Sequence, residues 1–143
     1  MKNGKITLVL FGLLLFWYSL IFVDIPGLTT EGRADIISLM GFLELLLLMV
    51  LIAYLIKWKY SDFLYLIILT LWGYLQYQGN WRYLFLRPSN EVLNSYYDHF
   101  QGTLRIFPES DKWIVPDAYH IILGLLILVN ILFILIKIIK NLK

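Results

Sequence analysis

Glu44 is the residue in this chain whose chemistry stands furthest from its surroundings, because it lies inside the run GFLELLLLMV. A carboxylate at the centre of a bilayer costs about 2.5–3.5 kcal/mol on insertion scales, and such a group ordinarily faces the interior of a helix bundle. Glu44 is therefore a candidate for proton exchange or for polar contact with a ligand. His120 is the natural partner for acid–base work, since it opens a second apolar run and the only other histidine is His99. A third candidate is the stretch YLQYQGNWRY at positions 74–83, the densest mixture of polar and aromatic side chains in the protein. Tyr74, Tyr77 and Trp81 offer aromatic surface there, Gln76 and Asn80 offer amides, and Arg82 offers a guanidinium suited to a phosphate or lipid headgroup.

Each candidate also has a purely architectural role open to it. Glu44 can lock the bundle by bonding to a Ser, Tyr or Gln on another helix. Arg82 can snorkel from an aromatic belt, and His120 can mark an interfacial helix start. Asp117 suits a helix N-terminus, where the dipole favours a carboxylate, and Asn130 suits interhelical hydrogen bonding. Gly41 lies on nearly the same face as Glu44 and permits close helix approach, and Gly124 lies one turn from His120.

Several chemistries are excluded. There is no cysteine, no HExxH pattern and no acidic cluster, so neither a metal nor a cofactor is expected. The net charge of +2, without a basic run, gives no footing for nucleic acid.

The elements that would position these residues are apolar helices. Hydrophobic residues make up 60% of the chain and charged residues 15%, against about 25% charged in soluble domains. Four long apolar segments, at 6–23, 36–56, 63–77 and 118–136, predict a single all-α membrane domain over 1–143, built as a four-helix transmembrane bundle. A span needs about 20 residues; the third segment is short and must borrow Gln76 and Gln78 or sit beside a polar cavity. The first segment exceeds the roughly 7–15 apolar residues of a signal-peptide core and reads as a retained helix.

Basic residues close to helix ends set the orientation. Lys2 and Lys5, Lys57 and Lys59, and Lys137, Lys140 and Lys143 flank three of the connections and ends. The expectation is a multi-pass protein of the cell membrane with both termini cytoplasmic. The loop at about 78–117 then lies outside. Within it, Val92, Leu93, Tyr96, Tyr97 and Phe100 recur at helical spacing after Pro88-Ser89-Asn90 and before Gly102, which predicts a short amphipathic helix capping the bundle or lying on the outer leaflet.

The functional expectation is a non-enzymatic membrane component. It would bind a membrane lipid, a hydrophobic ligand, a partner membrane protein or a second copy of itself through an outer-face cavity lined by residues 74–83 and the amphipathic segment. Two alternatives stand beside it. One is a small proton-coupled transporter or transport subunit using Glu44. The other is a lipid-modifying membrane enzyme with Glu44 and His120 as acid and base.

Overall fold

A computed structural model describes residues 2–23, 25–28 and 38–141. Five α-helices and no strand occur among them: α1 (Lys2–Ser19), α2 (Leu39–Leu55), α3 (Ser61–Gln76), α4 (Asn90–His99) and α5 (Ala118–Asn141). A 3-10 turn, Leu20–Phe22, extends α1, while a π-helical segment, Tyr77–Trp81, and a 3-10 turn, Arg82–Leu84, extend α3.

Side chains at the helix starts explain where several elements begin. Ser38 accepts a hydrogen bond from Gly41 N at 3.4 Å and caps α2. Ser89 accepts from Val92 N at 3.3 Å and caps α4, whose first turn carries Glu91. Asp117 accepts from His120 N at 2.9 Å at the start of α5. Between α2 and α3 the chain reverses through Lys57, which takes φ 55. Trp58 N bonds back to Ala53 O at 2.9 Å and Lys57 N to Tyr54 O at 3.1 Å, so the last carbonyls of α2 are satisfied.

The four long helices form a ring in which α1 packs on α2, α2 on α3, α3 on α5 and α5 on α1. Hydrogen bonds between opposite termini of adjacent helices make the ring antiparallel. The end of α1 meets the starts of α2 and α5, since Tyr18 donates to Met40 O at 2.9 Å and Tyr119 donates to Tyr18 O at 3.1 Å. The end of α2 meets the start of α3 through Tyr54 and Asp62 at 2.6 Å. The core between them is apolar and aromatic, with Phe11, Tyr18, Leu47, Tyr65, Trp72 and Leu123 all sealed from solvent.

The outward faces are apolar as well. Phe16, Phe42, Leu45, Met49, Ile67, Leu71, Leu132 and Ile136 are exposed on four different helices, where a bundle in water would carry polar residues. Two helical stretches, Lys5–Phe22 and Ala118–Asn141, are long and apolar enough to cross a membrane. The helix α2, at 17 residues, and α3, at 16, fall short of the usual span by themselves. Winding nevertheless continues from Ser61 through Trp81 because the π segment follows α3 directly.

The boundaries differ modestly from the sequence reading. Helix α1 begins at Lys2 rather than 6, α5 runs on to Asn141 rather than 136, and α3 begins at Ser61 rather than 63. Ile36 and Ile37, expected within the second segment, lie outside the described residues, as do Asp24, Glu31, Arg33 and Asp35 of the first loop. The amphipathic stretch is helical as α4, and its Leu93 is buried. Residues 103–107, after it, form no strand. Leu104 instead links two parts of the loop, its N–H donating to Gly27 O and its carbonyl accepting from Ala118 N at 2.8 Å.

Candidate functional site

Helix α3 ends by changing its winding. At Tyr77–Trp81 the repeat becomes π-helical, a geometry that is rare and often found at functional positions. The wider turn brings Gln76 and Asn80 into register, and Asn80 Nδ2 donates to Gln76 Oε1 at 3.2 Å. Tyr96 of α4 donates its hydroxyl to Asn80 Oδ1 at 3.1 Å. A directed chain therefore runs from Tyr96 through Asn80 to Gln76. Gln76 and Asn80 are each 8% exposed, so these are buried bonds whose loss would leave desolvated amides. Burial pushes the Tyr96 pKa up, with Asp117 acting in the same sense and Arg105 opposing. Its hydroxyl thus stays a donor; the associated stability is present below the ordinary tyrosine value of 10.0 and is lost as pH rises above it.

Helix α4 is held over the π segment by more than this bond. The Tyr97 hydroxyl donates to Trp113 O at 2.8 Å and accepts from Ser110 N and Val115 N at 3.1 and 3.2 Å. Arg105 lies over the Tyr97 ring at 4.8 Å, donates to Val115 O at 3.1 Å and pairs with Glu109 at 2.9 Å. The loop is thereby built around Tyr97, which the sequence reading treated only as an apolar position, and Arg105.

Between α4 and the π segment lies a cleft of about 590 Å³. Gln78, Gly79, Arg82 and Tyr83 form its floor, and Glu91, Val92, Ser95, Tyr96, His99 and Phe100 its roof, with Ile114 closing one side. Arg82 is fixed in it by three contacts. Its Nη1 donates to Gln78 Oε1 at 3.0 Å, its Nη2 bonds the Tyr83 hydroxyl, and its guanidinium lies 4.5 Å from the centre of the Tyr83 ring. Its Nε is buried without an acceptor.

A second cavity, about 380 Å³, opens between α3 and α5 on the adjoining face of the same segment. Thr70, Gly73, Gln76, Tyr77 and Trp81 line it from one side and Gly124, Leu125, Ile127, Leu128 and Ile131 from the other. Glycine at 124 is what admits Trp81, since a Cβ there would stand 2.5 Å from Trp81 Cζ2. The indole nitrogen of Trp81 is buried and has no hydrogen-bond partner.

Of the eight residues singled out from the sequence, Gln76, Tyr77, Asn80, Trp81 and Arg82 thus meet at the π segment. Tyr74 lies one turn earlier, exposed, its hydroxyl accepting from Gln78 Nε2 at 3.0 Å. Glu44 and His120 are engaged elsewhere. Glu44 Oε1 accepts from Ser19 Oγ at 2.8 Å and its Oε2 is buried without a partner. His120 Nδ1 lies 2.7 Å from Asp117 Oδ1, and its ring meets Phe100 edge-on at 5.2 Å. No hydrogen bond joins Glu44 to His120 among the described residues, and neither lines either cavity. Asn130 accepts from the Tyr65 hydroxyl at 2.9 Å and donates to Leu10 O at 3.3 Å, tying three helices together.

The sequence reading put the amphipathic segment against the cavity without naming Ser95 or His99 as its walls, and it missed Gly124 as the seat of Trp81. It also missed the pairing of Asp62 with Lys137, 2.7 Å apart at the far end of the bundle. Among the described residues no cluster of His, Cys, Asp or Glu is placed to hold a metal ion. No protein-family model, curated protein or solved structure matches the chain.

Proposed function

We propose that this protein is a four-span membrane bundle with both termini cytoplasmic, and that it acts without catalysis by binding a membrane amphiphile at its outer face. The observation that carries the reading is the cleft of about 590 Å³ between the π segment and α4, where aromatic walls and a fixed guanidinium share one space. Pockets for small ligands combine apolar walls with a few placed polar groups in this way.

The membrane placement draws support from the exposed apolar faces of all four long helices. In lipid, only the buried stripe must be complementary, and the outer face is free to be apolar. Continuous winding from Ser61 to Trp81 lengthens the third span, and lysines near the α2–α3 turn and the chain ends favour cytoplasmic placement there.

Two measurements test this. The chain has no cysteine, so single replacements Ser110→Cys and Lys59→Cys can be labelled in intact cells with a membrane-impermeant reagent. Labelling at 110 and protection at 59 are expected, and the reverse pattern overturns the topology. Native mass spectrometry of the gently extracted protein should retain a bound amphiphile. Ser95→Trp, which fills the cleft from its roof, should abolish that retention in a protein that still folds. Equal retention by the wild type and Ser95→Trp would defeat the reading.

A further inference from the structure

The unpartnered donors at the π segment are arranged in a way that specifies the amphiphile. Arg82 has no carboxylate partner among the described residues, whereas Arg105 and Lys137 pair with Glu109 and Asp62 at 2.9 and 2.7 Å. Its guanidinium is nonetheless held in one orientation by Gln78 and Tyr83, with Nε–H buried and unbonded. A fixed, partly desolvated cation without a counter-charge is unfavourable unless an anion completes the site. A planar guanidinium suits the oxygens of a phosphate. Glu91, across the cleft, is exposed in the first turn of α4, where the helix dipole stabilises its charge.

The apolar cavity supplies the other half. The relay from Tyr96 fixes the orientation of two amides. Because Tyr96 donates to Asn80 Oδ1, Asn80 presents Nδ2 to Gln76 and Gln76 presents Oε1 in return. The Gln76 Nε2 then has no acceptor among the described residues, although the residue is 8% exposed and lines the α3–α5 groove. Arg82 lies six positions after Gln76, a difference in level below about 9 Å at 1.5 Å per residue. That is the order of separation between a phosphoglycerol headgroup and its acyl esters. Tyr77 and Trp81 border the groove while Gln78 and Arg82 border the cleft, so successive positions of one turn serve both cavities.

We propose that the amphiphile is a glycerophospholipid, with its phosphate on Arg82, an ester carbonyl on Gln76 and an acyl chain in the α3–α5 groove beside Trp81. This rests on the lipid-binding reading above and narrows it to one chemical class.

The test uses the full chain in mild detergent and native mass spectrometry, with palmitoyl-oleoyl phosphatidylglycerol and the diacylglycerol of the same chains as probes. The wild type should retain the phospholipid about tenfold or more over the diacylglycerol, the scale of one charge-assisted hydrogen bond. Arg82→Gln should erase that preference and leave diacylglycerol retention unchanged. Arg82→Lys, which keeps the charge and loses the fork, should keep part of the preference, and it carries the test if Arg82→Gln does not fold. Thr70→Phe, at an exposed position lining the groove, should weaken both lipids by a similar factor. Neither glycerol 3-phosphate nor inorganic phosphate should displace the bound lipid. Equal retention of the two lipids by the wild type, or an unchanged preference in Arg82→Gln, overturns the proposal. Displacement by either soluble phosphate also overturns it, by making free phosphate the ligand. Retention of neither lipid by folded wild type removes the lipid-binding reading itself.

Discussion

At one end of the bundle, Asp62 accepts from Tyr54 at 2.6 Å and from Lys137 at 2.7 Å, and the lysine also lies 5.4 Å from the centre of the Tyr54 ring. At the other end lie the buried side-chain atoms that have no partner among the described residues, Glu44 Oε2, Trp72 Nε1, Trp81 Nε1 and Arg82 Nε, and both cavities open there. Glu44 falls in the first half of α2 and Trp72 in the last turns of α3, so all four belong to the half of the bundle nearest α4. Buried polar groups in folded proteins are normally bonded, and clustered exceptions call for a ligand, a water or a function. The closed end therefore satisfies its own polar groups, whereas the open end keeps the unpaired groups on which the proposed site rests.

The largest expected effect falls at the closed end. Asp62→Leu leaves Lys137 without its counter-charge and Tyr54 without its acceptor, at a cost of about 3 kcal/mol. Unfolding in detergent should show the loss, and the double replacement Asp62→Leu with Lys137→Leu should recover most of it. Lipid retention by the folded fraction should not change in either variant. A change in retention would mean that the two ends are coupled, and the contrast between them would fail.

The next effect lies at the open end and sharpens the contrast. A methyl group at 124 would stand 2.5 to 2.9 Å from three atoms of the Trp81 ring. Gly124→Ala must therefore displace the indole, with an overpacking cost of about 1–3 kcal/mol. Gly73 offers a control inside the same groove, because a Cβ there would meet Ile127 and Ile131 at 3.5 and 3.7 Å, which is ordinary contact. Gly73→Ala should leave both the melting temperature and the tryptophan emission near those of the wild type, whereas Gly124→Ala should shift both.

Much of this architecture is legible in the residues. The apolar runs mark the long helices, Ser89 and Gly102 bracket α4, and the 74–83 stretch identifies five residues that do meet at one segment. The π winding itself could not be read, because over five residues a repeat wider than 3.6 leaves no distinct pattern in YQGNW. The pairing of Asp62 with Lys137 spans 75 positions and depends on rotation about two helix axes. Rotation is also what separates the two residues that the sequence offers as acid and base. Glu44 turns toward Ser19 of α1, while His120 turns back onto Asp117 at the start of its own helix.

Glu44 gives the smallest predicted effect, despite being the costliest residue by type. Ser19 Oγ lies 2.8 Å from both Leu15 O and Glu44 Oε1, and a hydroxyl has a single proton to share between two acceptors. Glutamine brings its own N–H donors to that contact and removes a charge from an apolar helix, so Glu44→Gln should stay within about 1 kcal/mol of the wild type or stabilise it. Leucine leaves Ser19 its bond to Leu15 and removes the unpartnered Oε2, so Glu44→Leu should not destabilise either. Because Glu44 lines neither cavity, lipid retention should be equal in all three proteins. Loss of retention in Glu44→Leu with the fold intact would move the site inward from the π segment, and the open end would then include the interface of α1 with α2.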